Sequence, residues 1–455
     1  MIEIKNRRQS DIFILTYILA STVICVGILP MTQSPIMLPL DIDYIEEGPY
    51  SGNLLVAEGS GSICILSLDR ETLWYSDFPQ FFLHDVDLLP NGNLLVGEIQ
   101  NDSVYELDID TKEVVWEWNA RNIDDVDWIE LGNANDWSDD AMAWISNQNP
   151  TSGHWCHLND VEFISGNVTG RNHDSILISL RNFDMIIEVN YTSSKELIWH
   201  YGEPYNHELL NHQHNPDILE NKHILLSDSE NERILEIDYD TRQVVWEYRA
   251  DSPLELRWAR DVDDLGDGTY LITDTNNNRL LRVERATGDE IMIYDGPWYF
   301  LPYDSEVITV NGQKLIFTSD AVATGITVID FETGMFATSY GLPFMLYLVY
   351  LLLGFFALIS LYDLVKILRK NDNEKGLNRL KSFEALRKIT HIILTIIFLS
   401  FIPSLIGYFF NFGIRKLLEG LFAFSYRIGY YNNHNYSHLE NDELESSNYP
   451  LTIRK

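Results

Sequence analysis

LHDVDLLPNGNLLVGEIQNDSVYELDIDTKEVVWEW, residues 83–118, recurs in pattern as HQHNPDILENKHILLSDSENERILEIDYDTRQVVWEY at 212–248 and as ARDVDDLGDGTYLITDTNNNRLLRVERATGDEIMIY at 259–294. Each copy reads as an inner strand, a turn (NGN or GDG in two of the copies), an apolar strand, an Asn/Asp-rich turn, a third strand, a short turn and a fourth strand. Alternating apolar residues between such turns mark short half-buried strands. Four strands in about 45 residues is the repeat of a propeller blade. NDVEFISGN…SILISLRNFDMIIEVNYTSSKELIWHY from 159 and YDSEVITVNGQKLIFTSDAVATGITVIDFETG from 303 are further copies, and another starts near residue 40. The blades therefore begin near residues 40, 84, 158, 214, 260 and 303, and residues 36–340 are predicted to form an all-β, six-bladed β-propeller. Trp116, Trp199 and Trp246 share one place in the fourth strand, which reads as packing between blades. One insertion, residues 121–156, breaks the period and carries Trp128, Trp137, Trp144 and Trp155. It is either a lid over a site or an outer ornament packed on blade edges.

Hydrophobic runs flank the repeat. IFILTYILASTVICVGILP at 12–30 is long enough to span a bilayer, and Lys5, Arg7 and Arg8 precede it. Residues 1–31 are expected to form an anchor that leaves the following chain outside, with a cleaved signal peptide as the alternative. Apolar runs at 343–366 and 389–410 bracket a basic loop, 367–388, suited to the cytoplasmic side. Residues 411–455 read as an interfacial segment and polar tail. The expected arrangement is a multi-pass cell-membrane protein with transmembrane α-helices flanking an extracytoplasmic propeller. Glycosylation sequons at Asn101, Asn167, Asn190 and Asn435 would all lie outside.

A formal net charge of −36 argues against nucleic acid as a partner and requires a local positive site for any anionic substrate. No GxxxxGK[ST] phosphate loop or Rossmann pattern is present. Of the three cysteines, only Cys64 and Cys156 could pair within the repeat.

The first strand of each propeller blade lines the central channel. Aligned blade starts place His84–Asp85, Asn159–Asp160, His214–Asn215, Arg260–Asp261 and Tyr303–Asp304 in equivalent positions. His157 and His212 each lie two residues before a blade start, and Arg181 is expected on the second strand of blade three. Four of the 12 histidines and two arginines thus converge on one mouth of an acidic chain. Cationic and hydrogen-bonding groups gathered this way suit an anion with three oxygens, and histidine suits nucleophilic and acid–base work.

HDVDLLPNGN at 84, HLNDVEF…SILISLRNFDMIIEV at 157–189 and QHNPDIL…ILLSDSEN at 213 resemble the bacterial arylsulfate sulfotransferases over roughly residues 40–340. The resemblance implies transfer of a sulfuryl group from an aryl sulfate-type ester to a phenol or other hydroxyl acceptor. It implies a sulfohistidine intermediate, with no nucleotide donor and no cofactor or metal. The family's order of His, His, Arg and His falls on His84, His157, Arg181 and His214. In that reading His214 attacks sulfur, Arg181 and His157 bind its oxygens, and His84 binds an oxyanion or moves a proton. His212 remains a second candidate nucleophile. His212, Arg260 and Asn159 are candidate substrate-binding residues. Two other classes compete. In one, the propeller is a non-catalytic binding module. In the other, His157, His212 and His214 with Asp160 hold a divalent ion for a lyase or hydrolase.

Overall fold

The computed structural model describes residues 36, 38–78, 80–147, 154–250, 255–296, 298–321 and 325–341. They fall in the first of two compact units, Met1–Phe356. The apolar runs at 12–30, 343–366 and 389–410, the basic loop and the tail lie outside the described residues. Among the described residues no helix is long and apolar enough to cross a membrane.

Six antiparallel four-stranded sheets form the propeller, and each is built from four strands consecutive in the chain. The innermost strands are Pro39–Tyr44, Leu83–Leu88, Leu158–Ile164, His214–Ile218, Asp261–Asp264 and Pro302–Val310. The second and third strands are almost wholly buried, as in Ser175–Leu180 and Met185–Asn190, so they read as apolar runs. The fourth strands of blades two, four and five are largely exposed. Each inter-strand turn has its own chemistry. Asp108, Asp238 and Asp330 fold DxxT turns by accepting the backbone N–H and hydroxyl of Thr111, Thr241 and Thr333. Gly92 and Gly268 adopt φ of 88° and 87° in the first turns, a left-handed region that side chains disfavour.

Fourth-strand indoles fasten each of the first four blades to the next. Trp116, Trp199 and Trp246 donate Nε1–H to the carbonyls of Thr192, Tyr239 and Arg285 at 3.1, 2.9 and 2.8 Å. Trp74 does the same for blade one, bonding Ile109 at 3.0 Å. Blade six meets blade one without exchanging a strand. The seam is an apolar layer that includes Ile42, Val56, Phe317 and Tyr340, and the Tyr340 hydroxyl donates to the Leu68 carbonyl at 2.9 Å.

The insertion forms two short helices, Trp128–Ala134 and Asp139–Asn147. Asp127 caps the first by accepting from the amides of Ile129 and Glu130. Its tryptophans pack inward: Trp128 and Trp155 stand edge-on to Phe183 at 4.9 Å each, and Trp144 at 5.3 Å. Cys64 and Cys156 are both buried and are not bonded to each other, so the possible pairing is not made. Of the sequons, Asn101 and Asn167 are exposed, Asn190 is only 7% exposed within a strand, and Asn435 lies outside the described residues.

Candidate active site

The innermost strands carry three layers of polar groups across the channel. The lower two come from an alternating pattern visible in the chain: DID at 41, DVD at 85, DVE at 160, NPD at 215, DVD at 261 and DSE at 304. A strand sends alternate side chains to one face, so both polar residues of each triplet face the axis. The upper of these layers links the blades. Asp41, Asp85, Asp261 and Asp304 accept the amides of Val86, Val161, Ser305 and Ile42 on the following blades at 3.1, 2.8, 3.0 and 2.8 Å. Glu162, one layer deeper, makes the step to blade four through the Ile218 amide at 2.8 Å, and Asn215 bonds Asp261 at 3.5 Å. Burial pushes these carboxyls up, Asp87 and Asp304 to about 7, and burial followed by the charge of neighbouring carboxylates takes Asp217 and Glu306 to about 8.

At the mouth above them the charge reverses. His84, Arg181, His214 and Arg260 are buried, and His157 is partly so. The His84 ring centre lies 6.4 Å from His157, 6.1 Å from His214 and 5.2 Å from Tyr303. Its Nε2 is 2.7 Å from the Tyr303 hydroxyl and 3.3 Å from Arg260 Nη1, which also donates to that hydroxyl. The Arg260 guanidinium is sandwiched between Trp258 and Tyr303, 3.6 and 4.1 Å from their ring centres. Trp258 in turn stands 6.2 Å from His214.

His214 is 0% exposed. Its Nδ1 lies 2.8 Å from Ser229 Oγ, and its Nε2 is buried with no hydrogen-bond partner among the described residues. Burial holds its imidazole well below the usual range, and the charges of Arg260 and Arg181 add to this. His157 is lowered by burial first and then by Arg181. Both rings are therefore neutral near pH 7, and the groups acting most strongly on them after burial are cations and other imidazoles.

His157 sits in a strained turn at φ 51°. Asp102, 0% exposed, shapes that turn by accepting the amides of Trp155, Cys156 and His157 at 3.1, 3.0 and 3.0 Å, and Arg121 pairs with it. Arg181 departs from expectation. It lies just past the second strand and opens the 3₁₀ turn Arg181–Phe183, where the insertion's indoles wedge Phe183. Its Nη1 bonds Asn182 at 2.9 Å and its Nη2 lies 3.7 Å from Glu230.

Asn159 is buried and ties blade three to blade four through the Gln213 carbonyl at 2.8 Å. His212 repeats the turn of His157 at φ 52°, but its ring lies 6.3 Å from His207, which pairs with Asp184 at 3.3 Å. Among the described residues no His, Cys, Asp or Glu group is arranged to hold a metal ion. The set of His157, His212, His214 and Asp160 therefore has no such grouping to support it.

Tyr303, in the blade-start register, is joined at the mouth by Trp258 and Ser229. Trp258, at φ 54°, occupies the place of His157 and His212 two residues before a blade start, a register readable in the sequence. Blade one contributes Leu40 where other blades carry polar groups, and Leu40, Tyr303 and Ala321 form an apolar cluster with Leu38 and Phe82 packed on it.

A sequence model of the family described as arylsulfotransferase (ASST) matches residues 58–292, just over half of the 455-residue chain. No curated protein matches significantly. Solved structures are similar at low identity. A selenomethionine-substituted virginiamycin B lyase from Staphylococcus aureus is 11% identical, with 69% of this chain and 87% of that chain covered and a TM-score of 0.44. A streptogramin B lyase is 14% identical over 69% and 86% of the two chains, with a TM-score of 0.44. A Bacteroides caccae protein is 12% identical over 58% and 85%, with a TM-score of 0.42.

Proposed function

The chain belongs to the arylsulfotransferase (ASST) family, and from that membership we propose that it moves a sulfuryl group from an aryl sulfate-type ester to a phenol or other hydroxyl acceptor through a sulfohistidine on His214. The observation that carries this reading is the His214 Nε2 lone pair, buried, unpartnered among the described residues and under the field of two guanidiniums. A neutral imidazole in that setting is a nucleophile aimed at an anionic electrophile. His212 lacks this setting, since its ring neighbours His207 and its turn hangs on Asp184.

In the first half-reaction Nε2 attacks sulfur. The bond from sulfur to the phenolic oxygen breaks, and the electron pair leaves on that oxygen. Arg181, Arg260 and His157 hold the sulfuryl oxygens, where charge accumulates. The His84–Tyr303 pair carries the proton that the departing phenolate takes up. It removes the proton of the incoming hydroxyl in the second half-reaction, which runs the same steps in reverse. The apolar wall of Leu38, Leu40 and Phe82 suits an aryl group and leaves the sulfuryl end toward the cations.

In this reading the propeller works on the outer face of a membrane, held by the apolar runs at 12–30, 343–366 and 389–410, with the basic loop inside. The test is incubation of the full chain in detergent with a fluorogenic aryl sulfate and a phenol, with no nucleotide added. Acceptor-dependent release of the fluorophore is expected, along with a mass increase of one sulfuryl group on His214 after brief donor exposure. No turnover with any phenol or sugar acceptor, together with unmodified histidines, would remove the basis of the proposal.

A further inference from the structure

We propose that Ser229 is a positioning residue that fixes the tautomer of His214, leaving Nε2 bare and Nδ1 protonated. The inference rests on the transfer reading only for the identity of the electrophile. Ser229 opens the 3₁₀ turn Ser229–Asn231 after the second strand of blade four, the place taken by Arg181 in blade three and Thr275 in blade five. It is 1% exposed.

The direction of its hydrogen bonds follows from a count of protons. Ser229 Oγ lies 2.6 Å from the Ala259 carbonyl oxygen and 2.8 Å from His214 Nδ1, with the Ser227 carbonyl farther off at 3.5 Å. A hydroxyl has one hydrogen to give and a carbonyl has none. The short contact to Ala259 takes that hydrogen, so Oγ meets Nδ1 as an acceptor. Nδ1 must then carry the ring's proton, and in a neutral imidazole the other nitrogen is left with a free lone pair. Serine and carbonyl come from neighbouring blades, so the lock spans a blade boundary and moves only if the blades do.

The lock is also uncharged, which bears on the intermediate. When Nε2 forms its bond to sulfur and the aryl oxygen departs with the electron pair, the Nδ1 proton stays on the ring. The product is an N-sulfo-imidazolium whose positive charge faces a serine and a carbonyl instead of a carboxylate. With Arg181 and Arg260 nearby, that cation is poorly stabilised and retains a strong tendency to pass its sulfuryl group on. A carboxylate in place of Ser229 would trap the group.

The experiment uses the full chain with isotope-labelled histidine and nitrogen NMR, which separates protonated from bare ring nitrogens, with His214→Asn for assignment. Wild-type His214 is expected to show a protonated Nδ1 and a bare Nε2 near neutral pH. Ser229→Ala should mix the tautomers and slow the donor half-reaction by about 10- to 100-fold with KM within about two-fold. Ser229→Thr, which keeps the hydroxyl, should restore most of the rate. A protonated Nε2 in resting wild type, or Ser229→Ala reacting at the wild-type rate, overturns the lock even if sulfohistidine forms. A bare Nε2 with no sulfohistidine from any aryl sulfate leaves the lock standing and removes the transfer reading instead. The wild-type spectrum decides the matter even if Ser229→Ala folds poorly.

Discussion

Replacing Arg260 by methionine gives the sharpest account of what the mouth does. Methionine fills the space between Trp258 and Tyr303 but brings neither charge nor donors. In the native site the guanidinium lies 3.6 Å from one ring centre and 4.1 Å from the other, and its Nη1 is 3.3 Å from His84 Nε2. Loss of one preorganised donor to a developing oxyanion raises a barrier by about 3 kcal/mol, or about 100-fold in rate. A second effect adds to it at low pH. Arg260 is the leading charge that depresses His214 after burial. Without it the imidazole protonates at higher pH and stops attacking. The acid limb of the rate profile should therefore move upward, making the loss larger at about pH 6 than at about pH 8. Arg260→Lys should fall between wild type and Arg260→Met, because an ammonium keeps the charge but cannot stack flat between two rings. The assay is the initial rate of aryl sulfate to phenol transfer across pH. If Arg260→Met stays within about five-fold of wild type and its acid limb does not move, the cation has no role in transfer and the electrostatic reading of the mouth fails.

Three further outcomes are expected. His214→Ala should abolish transfer and labelling with little change in denaturation midpoint, whereas His212→Ala should retain transfer; the reverse pattern would reassign the nucleophile. Asp102→Ala strands three buried amides at about 1 kcal/mol or more each, so urea unfolding should show a loss of about 3 kcal/mol or more; a change under about 1 kcal/mol would mean the 154–157 turn holds itself. The channel carboxyls keep their protons to higher pH in the fold than in the unfolded chain. Their contribution to stability is full only below the unfolded-chain values of 3.8 to 4.5 and is lost progressively as pH rises from there to the range where Asp87, Asp304, Asp217 and Glu306 ionise in the fold, about 7 to 8. Thermal midpoints should therefore fall between about pH 5.5 and pH 8.5, and a flat or rising curve would contradict the raised values.

Blade count and blade starts were legible because strand alternation and turn chemistry are local, and each blade repeats them. His84 and His214 were legible through the same register, since a side chain's place in a strand fixes which face it takes. Arg181 was placed by register at the second strand of blade three and given a role by the family resemblance, but it falls one residue beyond that strand, because the second strand there ends in a 3₁₀ turn as it does in blades four and five. Tyr303 was in the aligned blade starts and Trp258 shared the register of His157 and His212, yet their role depends on closing around Arg260, a contact between blades that no local pattern announces. Ser229 was invisible as a partner because its bonds reach His214, 15 residues earlier, and Ala259, 30 residues later. The aspartate layers were in plain view as repeated DxD and DxE triplets. The first acid of the triplets was read at the channel through the aligned blade starts, whereas the second went unremarked, because any one acidic strand residue reads as solvent-facing until six strands are brought to a common axis.

The absence of strand exchange between blades six and one makes the ring topologically a bent ribbon whose ends touch. Fluctuations that part those ends would part Leu40 from Tyr303, opening the apolar side of the mouth. His84, His157, Arg181 and His214 lie on three successive blades of the ribbon's interior and would ride together. A bulky acceptor admitted by breathing at the joint would loosen the contact of His84 with Tyr303 while His157, Arg181 and His214 keep their spacing.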